Sequence, residues 1–162
     1  MTLVHVGIVS WNTADDLGRC LDALPAALEG TQYTVAVIDN ASSDDSADVA
    51  AAHDGVDVIR NDHNVGYARA MNQALALAPK DAEVLIALNP DTVAPTGSLV
   101  ELARRLLAHP DVGLVAPRLL NEDGSLQHSV YRFPSVAVAT SVSMASERSL
   151  AGGRGERFWL HG

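Results

Sequence analysis

The sequence predicts an α/β domain in which helices cover both faces of a mostly parallel sheet. Three observations carry this. Compact β-branched and aliphatic runs alternate with stretches of helical spacing, the links between them are short, and several runs stop abruptly at polar clusters. Strand and helix in turn require crossover connections, and crossovers bury a parallel sheet on both sides. The crossovers should be right-handed. At 162 residues the chain suffices for one domain with a sizeable core. Only 4% of its residues are aromatic, so Val, Leu, Ile and Ala must fill that core.

Residues 4–9 form the first apolar run and read as a strand. Residues 14–28 follow with helical spacing at Leu17, Leu21, Leu24 and Leu28. Residues 33–38 are strand-like through Val35, Val37 and Ile38. Residues 44–53 read as a short helix, 56–59 as a short strand, and 66–77 as a helix with Ala70, Ala74 and Leu77 on one face. The run Leu85-Ile86-Ala87-Leu88 belongs to a strand over 84–88 that must end at Pro90, which cannot donate to a ladder. Residues 96–108 are helical, with Leu99, Leu102, Leu106 and Leu107 inward, and 112–116 are expected as another strand. The rhythm changes after Pro117. The run from Leu119 to Leu126 resembles a hairpin through Asp123-Gly124, 135–150 is expected as a helix, and 157–161 as the start of a strand. One domain is expected overall: an α/β region over 1–117, then the beginning of a second region over 118–162.

Charge and composition exclude several classes. The net charge of −9 argues against nucleic-acid binding, which needs a basic footprint. It also means that an anionic ligand needs a local cation or a ring of backbone donors. Cys20 is the only cysteine, so no disulfide forms within the chain, and its helical position reads as core. No basic leader precedes the first strand, and no apolar stretch has the length of a membrane span. The apolar segment 135–145 is short; it suits a core or subunit-interface helix, with a peripheral membrane contact or a homodimer as further uses. The six histidines form no close ligand pair, which gives zinc little support. There is no Gly-x-Gly-x-x-Gly, P-loop or Gly-x-Ser-x-Gly pattern.

The candidate site residues lie where the runs end. Asn89 and Asp91 are two apart in extended chain, so their side chains point the same way at the carboxyl end of a strand. Two such oxygens suit a hard divalent cation, Mg2+ or Mn2+, that also grips a diphosphate. Ser10, Trp11 and Asn12 follow the first strand. The Trp11 indole can pack on a flat ring, whereas Asn12 or Thr13 can equally cap the next helix. Asp39 ends the second strand, where a carboxylate accepts hydrogen bonds from a ribose or base, and Ser43 or Asp44 is placed to cap the helix after it. Asn64 and Gly66 open the third loop; Gly66 allows close backbone approach at a helix N-terminus. Arg69 and Asn72 share a face one turn on, suited to a diphosphate or a base, or simply to solvent.

Taken together, Val9-Ser10-Trp11-Asn12, Val37-Ile38-Asp39-Asn40-Ala41-Ser42-Ser43-Asp44, Asn64-Val65-Gly66-Tyr67-Ala68 through Asn72, and Leu88-Asn89-Pro90-Asp91-Thr92 resemble the family 2 glycosyltransferases, and most closely the rhamnosyltransferase-like members that build bacterial cell-surface polysaccharides. The resemblance covers residues 4–134, with the four motifs in order. It implies a GT-A fold, a Rossmann-like nucleotide-binding half, and a UDP- or dTDP-sugar as donor. By that likeness Ser10, Trp11 and Asn12 border the nucleoside, Asp39 bonds the base or ribose, and Asn64, Gly66, Arg69 and Asn72 line the nucleotide side. Asn89 and Asp91 stand where the family often has Asp-x-Asp, with Asp91 the direct metal ligand. Asn at the first position lowers the site's charge and leaves the metal dependent on the donor's phosphates.

The implied reaction is an inverting displacement onto a saccharide or lipid-linked saccharide in the cytoplasm, with the inner face of the membrane as one place for it. The family's base is a later carboxylate. Glu147 and Glu156 do not sit in a matching context, so the base is expected beyond Gly162 and the chain is expected to be a truncated part of a longer enzyme. A noncatalytic nucleotide-sugar-binding module is the alternative, and a doubly wound scaffold domain without a nucleotide site is a third.

Overall fold

The computed structural model describes residues 2–129 except 122 and 128. Its elements are β1 (Leu3–Ser10), α1 (Ala14–Ala27), β2 (Gln32–Asp39), α2 (Ser46–Ala51), β3 (Val56–Arg60), α3 (Tyr67–Ala76), β4 (Val84–Leu88) and α4 (Ser98–Leu107). Four strands form one sheet in the order β3-β2-β1-β4, and every pairing is parallel. The expected α/β class therefore holds, with helices on both faces.

The alternation of side chains along β1 explains the two layers. Val4, Val6 and Ile8 enter one core with Leu17, Leu21 and Leu24 of α1, Ala50 of α2, and Leu99 and Ala103 of α4. Val9 enters the other core, with Ala36 and Ile38 of β2 and Ala70, Met71 and Ala74 of α3. Fully buried side chains such as Ile8 and Leu24 each contribute about 1.5–3 kcal/mol by leaving water.

Two residues of β1 fix α3 to the sheet. A Cβ on Gly7 would stand 3.0 Å from the Ala74 Cβ and 3.2 Å from the Leu75 Cδ2, so only glycine lets the helix come this close. His5 is buried and bonded at both nitrogens: Nε2 donates to the Ala74 carbonyl at 2.9 Å, and Nδ1 pairs with the Thr34 hydroxyl at 2.7 Å. A carbonyl only accepts, so Nε2 carries a proton. His5 is a satisfied core residue.

The topology places the site. The chain steps outward from β1 to β2 to β3, then returns across β1 to β4. Right-handed crossovers in opposite directions put α1 and α2 on one face and α3 on the other. The direction reverses at β1, and a crevice outside the carboxyl ends of β1 and β4 results.

Some expectations are corrected. Residues 112–116, expected as a strand, are irregular, and Leu114 is 79% exposed. No ladder holds this run extended among the described residues. The short helix expected from residue 44 begins at Ser46, because Asp44 uses its carboxylate to take the Ser46 amide that opens the helix and the Ala14 amide of α1. Apart from these corrections, the chain falls into two compact units, the first ending at Val115. In the second, the expected hairpin is reduced to one antiparallel bridge, Leu120 to Leu126, around a turn in which Asp123 Oδ1 accepts from the Ser125 amide at 2.9 Å. The helix expected over 135–150, its apolar stretch, the strand over 157–161, Glu147 and Glu156 lie outside the described residues. Among the described residues, no helix is long and apolar enough to cross a membrane.

Candidate functional site

A cavity of about 380 Å³ opens at the carboxyl rim of the sheet. Val9, Trp11, Thr13 and Asp16 line it from the β1–α1 side, Asn40 from the end of β2, Asn64 and Tyr67 from the start of α3, and Asn89, Pro90 and Asp91 from the end of β4. Parallel strands deliver all these loops to the same rim, so segments far apart in sequence meet. The volume suits a small-molecule ligand. The lining holds two carboxylates, Asp16 and Asp91, and no Lys or Arg. Asp16 is ion-paired with Arg19.

The loops after β1 and β2 are tied together. Asn12 has φ 55°, a left-handed conformation that Asn tolerates. Its amide donates to the Ser42 hydroxyl at 3.0 Å, and its side-chain oxygen accepts from the Ser43 amide at 2.7 Å and hydroxyl at 3.1 Å. Thr13 makes no side-chain cap on α1; its hydroxyl pairs with Ser10 at 2.8 Å. The cap comes from the neighbouring loop. Asp44 Oδ2 accepts from the Ala14 amide at 3.1 Å while Oδ1 accepts from the Ser46 amide and hydroxyl. These bonds, the Ser46 hydroxyl's above all, hold the Asp44 carboxyl below the usual carboxylate range. Ala41, with φ 65°, is the strained member of the group.

Asp39 is 4% exposed. Its Oδ2 accepts from the Ser42 amide at 3.2 Å, whereas Oδ1 is buried with no partner. Among the described residues only Ser98 shares that condition. A buried oxygen without a donor is costly, and such orphans mark strain or a missing ligand.

The end of β4 is held more lightly. The Thr92 amide closes a turn on the Asn89 carbonyl at 3.2 Å. The Cys20 thiol contacts the same carbonyl at 3.7 Å from beneath. Burial pushes this thiol up to about 12, with the charge of Asp91 adding to the shift, so Cys20 packs and does not act as a nucleophile. The Tyr67 hydroxyl reaches the Asn89 side-chain oxygen at 3.4 Å, a long contact. Trp11, 56% exposed, and Tyr67, 52% exposed, stand as two aromatic walls.

The expected site residues separate into three groups. Trp11, Asn64, Asn89 and Asp91 line the cavity. Ser10 is fully buried with its hydroxyl given to Thr13, Asn12 is engaged with Ser43, and Asp39 sits beneath the rim. Gly66, with φ 84°, precedes α3 and donates its amide to Asn64 Oδ1 at 2.9 Å; Arg69 and Asn72 are exposed on α3 outside the cavity lining.

The profile of glycosyl transferase family 2 matches residues 5–149, which include every loop of this cavity. The chain belongs to that family. The uncharacterized protein MT1568 of Mycobacterium tuberculosis is 32% identical over 124 residues, covering 75% of this chain and 38% of that protein. Among solved structures, a mannosyltransferase from Pyrobaculum calidifontis in complex with GDP-Man and Mn2+ superposes with a TM-score of 0.60 at 25% identity, covering 68% of this chain and 33% of that one. S. aureus TarS in complex with UDP-GlcNAc superposes with a TM-score of 0.59 at 20% identity, covering 68% and 32%. The fold is thus that of the GT-A glycosyltransferases, and the chain spans about a third of the length of the solved structures it matches.

Within this family 2 fold, sequence reading missed Val9, Thr13, Asp16, Asn40, Tyr67 and Pro90 as cavity residues. The signal for Tyr67 was present. It follows directly on Gly66, so it begins the helix whose N-terminus faces the rim. Asn40 gave none, since one residue past a strand it reads as an ordinary turn.

Proposed function

We propose that this chain is the donor-binding part of an inverting glycosyltransferase. It would move a sugar from a nucleotide-diphosphate sugar to a saccharide or lipid-linked saccharide acceptor. One observation carries the reading: Trp11, Asn40, Asn64, Asn89 and Asp91, from four separate loops, surround one cavity at the point where strand order reverses. Relatives of this family fold are in complex with UDP-GlcNAc and with GDP-Man and Mn2+. A UDP- or dTDP-sugar is the assigned donor, in rhamnosyl or another hexosyl transfer for cell-surface polysaccharide synthesis at the inner face of the membrane.

The residues fit distinct parts of such a ligand. Trp11 offers a face to the base. Asp39 Oδ1 is a waiting acceptor for an N–H of the base or an O–H of the ribose. Ser10 and Asn12 act indirectly, by fixing the loop that carries Trp11. Arg69 and Asn72 join where the ligand extends along α3.

A cation is supported by charge. The lining has two carboxylates and no basic side chain, so a diphosphate entering alone meets repulsion. Asp91 is exposed and makes no ion pair among the described residues, and Asn89 adds a neutral oxygen; hard oxygen donors suit Mg2+ or Mn2+. Among the described residues no three His, Cys, Asp or Glu side chains cluster. The remaining ligands would come from phosphates and water, the usual arrangement for Mg2+. Such a cation stabilises the diphosphate leaving group.

Calorimetry with UDP, dTDP and GDP, with and without Mn2+, tests the reading. The expected result is binding of a nucleoside diphosphate that strengthens with Mn2+. Turnover of a labelled donor separates a transferase from a binding module. No binding of any of the three, with metal present, contradicts the proposal.

A further inference from the structure

Four carboxamides form a chain from the body of α3 to the cavity. Gln73 Nε2 donates to Asn61 Oδ1 at 3.2 Å, and Asn61 Nδ2 returns to Gln73 Oε1 at 3.0 Å. Asn61 Nδ2 also donates to Asn40 Oδ1 at 3.1 Å, and Asn40 Nδ2 donates to Asn64 Oδ1 at 2.8 Å. An isolated carboxamide has an ambiguous orientation, since its oxygen and nitrogen look alike. Here the ambiguity is removed. The Val65 backbone amide points at Asn40 Oδ1 at 3.0 Å, and the Gly66 backbone amide at Asn64 Oδ1 at 2.9 Å. A backbone N–H can only donate, so both groups that face it must be oxygens. With Asn64 Oδ1 holding two donors, what Asn64 has left for the cavity is its NH2.

We propose that Asn40 is a positioning residue: by taking the Val65 amide and giving its own N–H to Asn64, it fixes the Asn64 carboxamide so that the cavity meets a donor there and reads an acceptor oxygen of the bound nucleotide. The inference rests on the nucleotide-binding reading. Asn40 is 2% exposed, so this geometry is set before a ligand arrives. Preorganisation of this kind saves the ordering cost that binding otherwise carries.

Three variants of the full chain test it, with UDP, dTDP and GDP plus Mn2+ as probes and thermal unfolding as a control. Asn64→Asp keeps the oxygen that accepts from Asn40 and Gly66 but replaces the cavity-facing NH2 with an acceptor. It should fold as the wild type does and bind at least ~10-fold more weakly, about the worth of one good hydrogen bond. Asn64→Ala, which adds no charge, should also lose ~10-fold. Asn40→Ala should lose a similar factor, and the Asn40→Ala/Asn64→Ala double variant should bind no worse than Asn64→Ala, because the two residues act through one interaction. Losses that multiply in the double variant, or wild-type affinity in Asn64→Asp, overturn the proposal while leaving the nucleotide reading intact. A wild type that binds none of the three probes overturns both.

Discussion

The two sides of the cavity are built differently. On the β1, β2 and β3 side, Asn12, Ser42, Ser43, Asp44, Asn40, Asn61 and Asn64 take part in bonds of 2.7–3.1 Å. On the β4 side, the Asn89–Asp91 turn has one backbone bond, a 3.7 Å thiol contact and a 3.4 Å contact to Tyr67. The braced side can hold a base and ribose in one orientation. The lightly held side can adjust to a cation whose ligand shell is completed only when the donor arrives. On the proposed reading, the bonds concentrate where a base and ribose would be recognised and are few where a cation's ligand shell would form with the donor.

Substitutions on the two sides should therefore separate binding from stability. The largest effect is expected for Asp91→Ala. Losing a direct ligand should cost more than the ~10–100-fold that losing an outer partner of a metal costs, while thermal unfolding stays unchanged. Calorimetry with and without Mn2+ checks it, and a metal-dependent affinity equal to wild type removes Asp91 from the site. Gly7→Ala probes the braced side from below. The added methyl crowds Ala74, Leu75 and Met71, and should cost about 1–3 kcal/mol in chemical denaturation while weakening metal-free nucleotide binding through a displaced α3. Stability equal to wild type would mean that α3 yields easily.

Ala41→Gly is expected to act in the opposite sense. It removes left-handed strain at φ 65° and should stabilise by about 0.5–1 kcal/mol after the entropy of glycine is counted. A destabilised variant would show that the loop needs the methyl more than the relief. The smallest effect concerns acid. The Asp44 carboxyl lies below its ordinary 3.8, so its contribution to stability is full above that value and is lost as pH falls through the lower, folded-state value. The stability difference between wild type and Asp44→Ala, followed by denaturation across pH, should shrink below about pH 4. A difference constant with pH would deny Asp44 its cross-loop capping role.

Much of the braced frame was legible from sequence because periodicity reports burial. The apolar run of β1 and the Leu17, Leu21, Leu24 spacing of α1 placed the elements to within a few residues. The expected strand at 112–116 failed since an apolar run does not say whether a neighbouring strand exists to pair with it. At the rim, the Asn89 and Asp91 pair was legible and both line the cavity, but the extended chain expected to align them is absent: β4 ends at Leu88, and the Thr92 amide closes a turn on the Asn89 carbonyl. The amide chain was not. Asn40, Asn61, Asn64 and Gln73 lie up to 33 residues apart, and only the topology joins them. Sequence reading likewise expected Ser43 or Asp44 to cap the helix after it, whereas Asp44 also takes the first amide of α1, 30 residues away.

On the proposed reading, the lightly held turn after β4 receives a cation together with the donor. An anomalous difference map from crystals grown with UDP or GDP and Mn2+ tests it most directly. A manganese peak within about 2.5 Å of an Asp91 carboxylate oxygen, bridging to the diphosphate, is the predicted result. A bound nucleotide with no peak there, or a peak elsewhere on the protein, would contradict it.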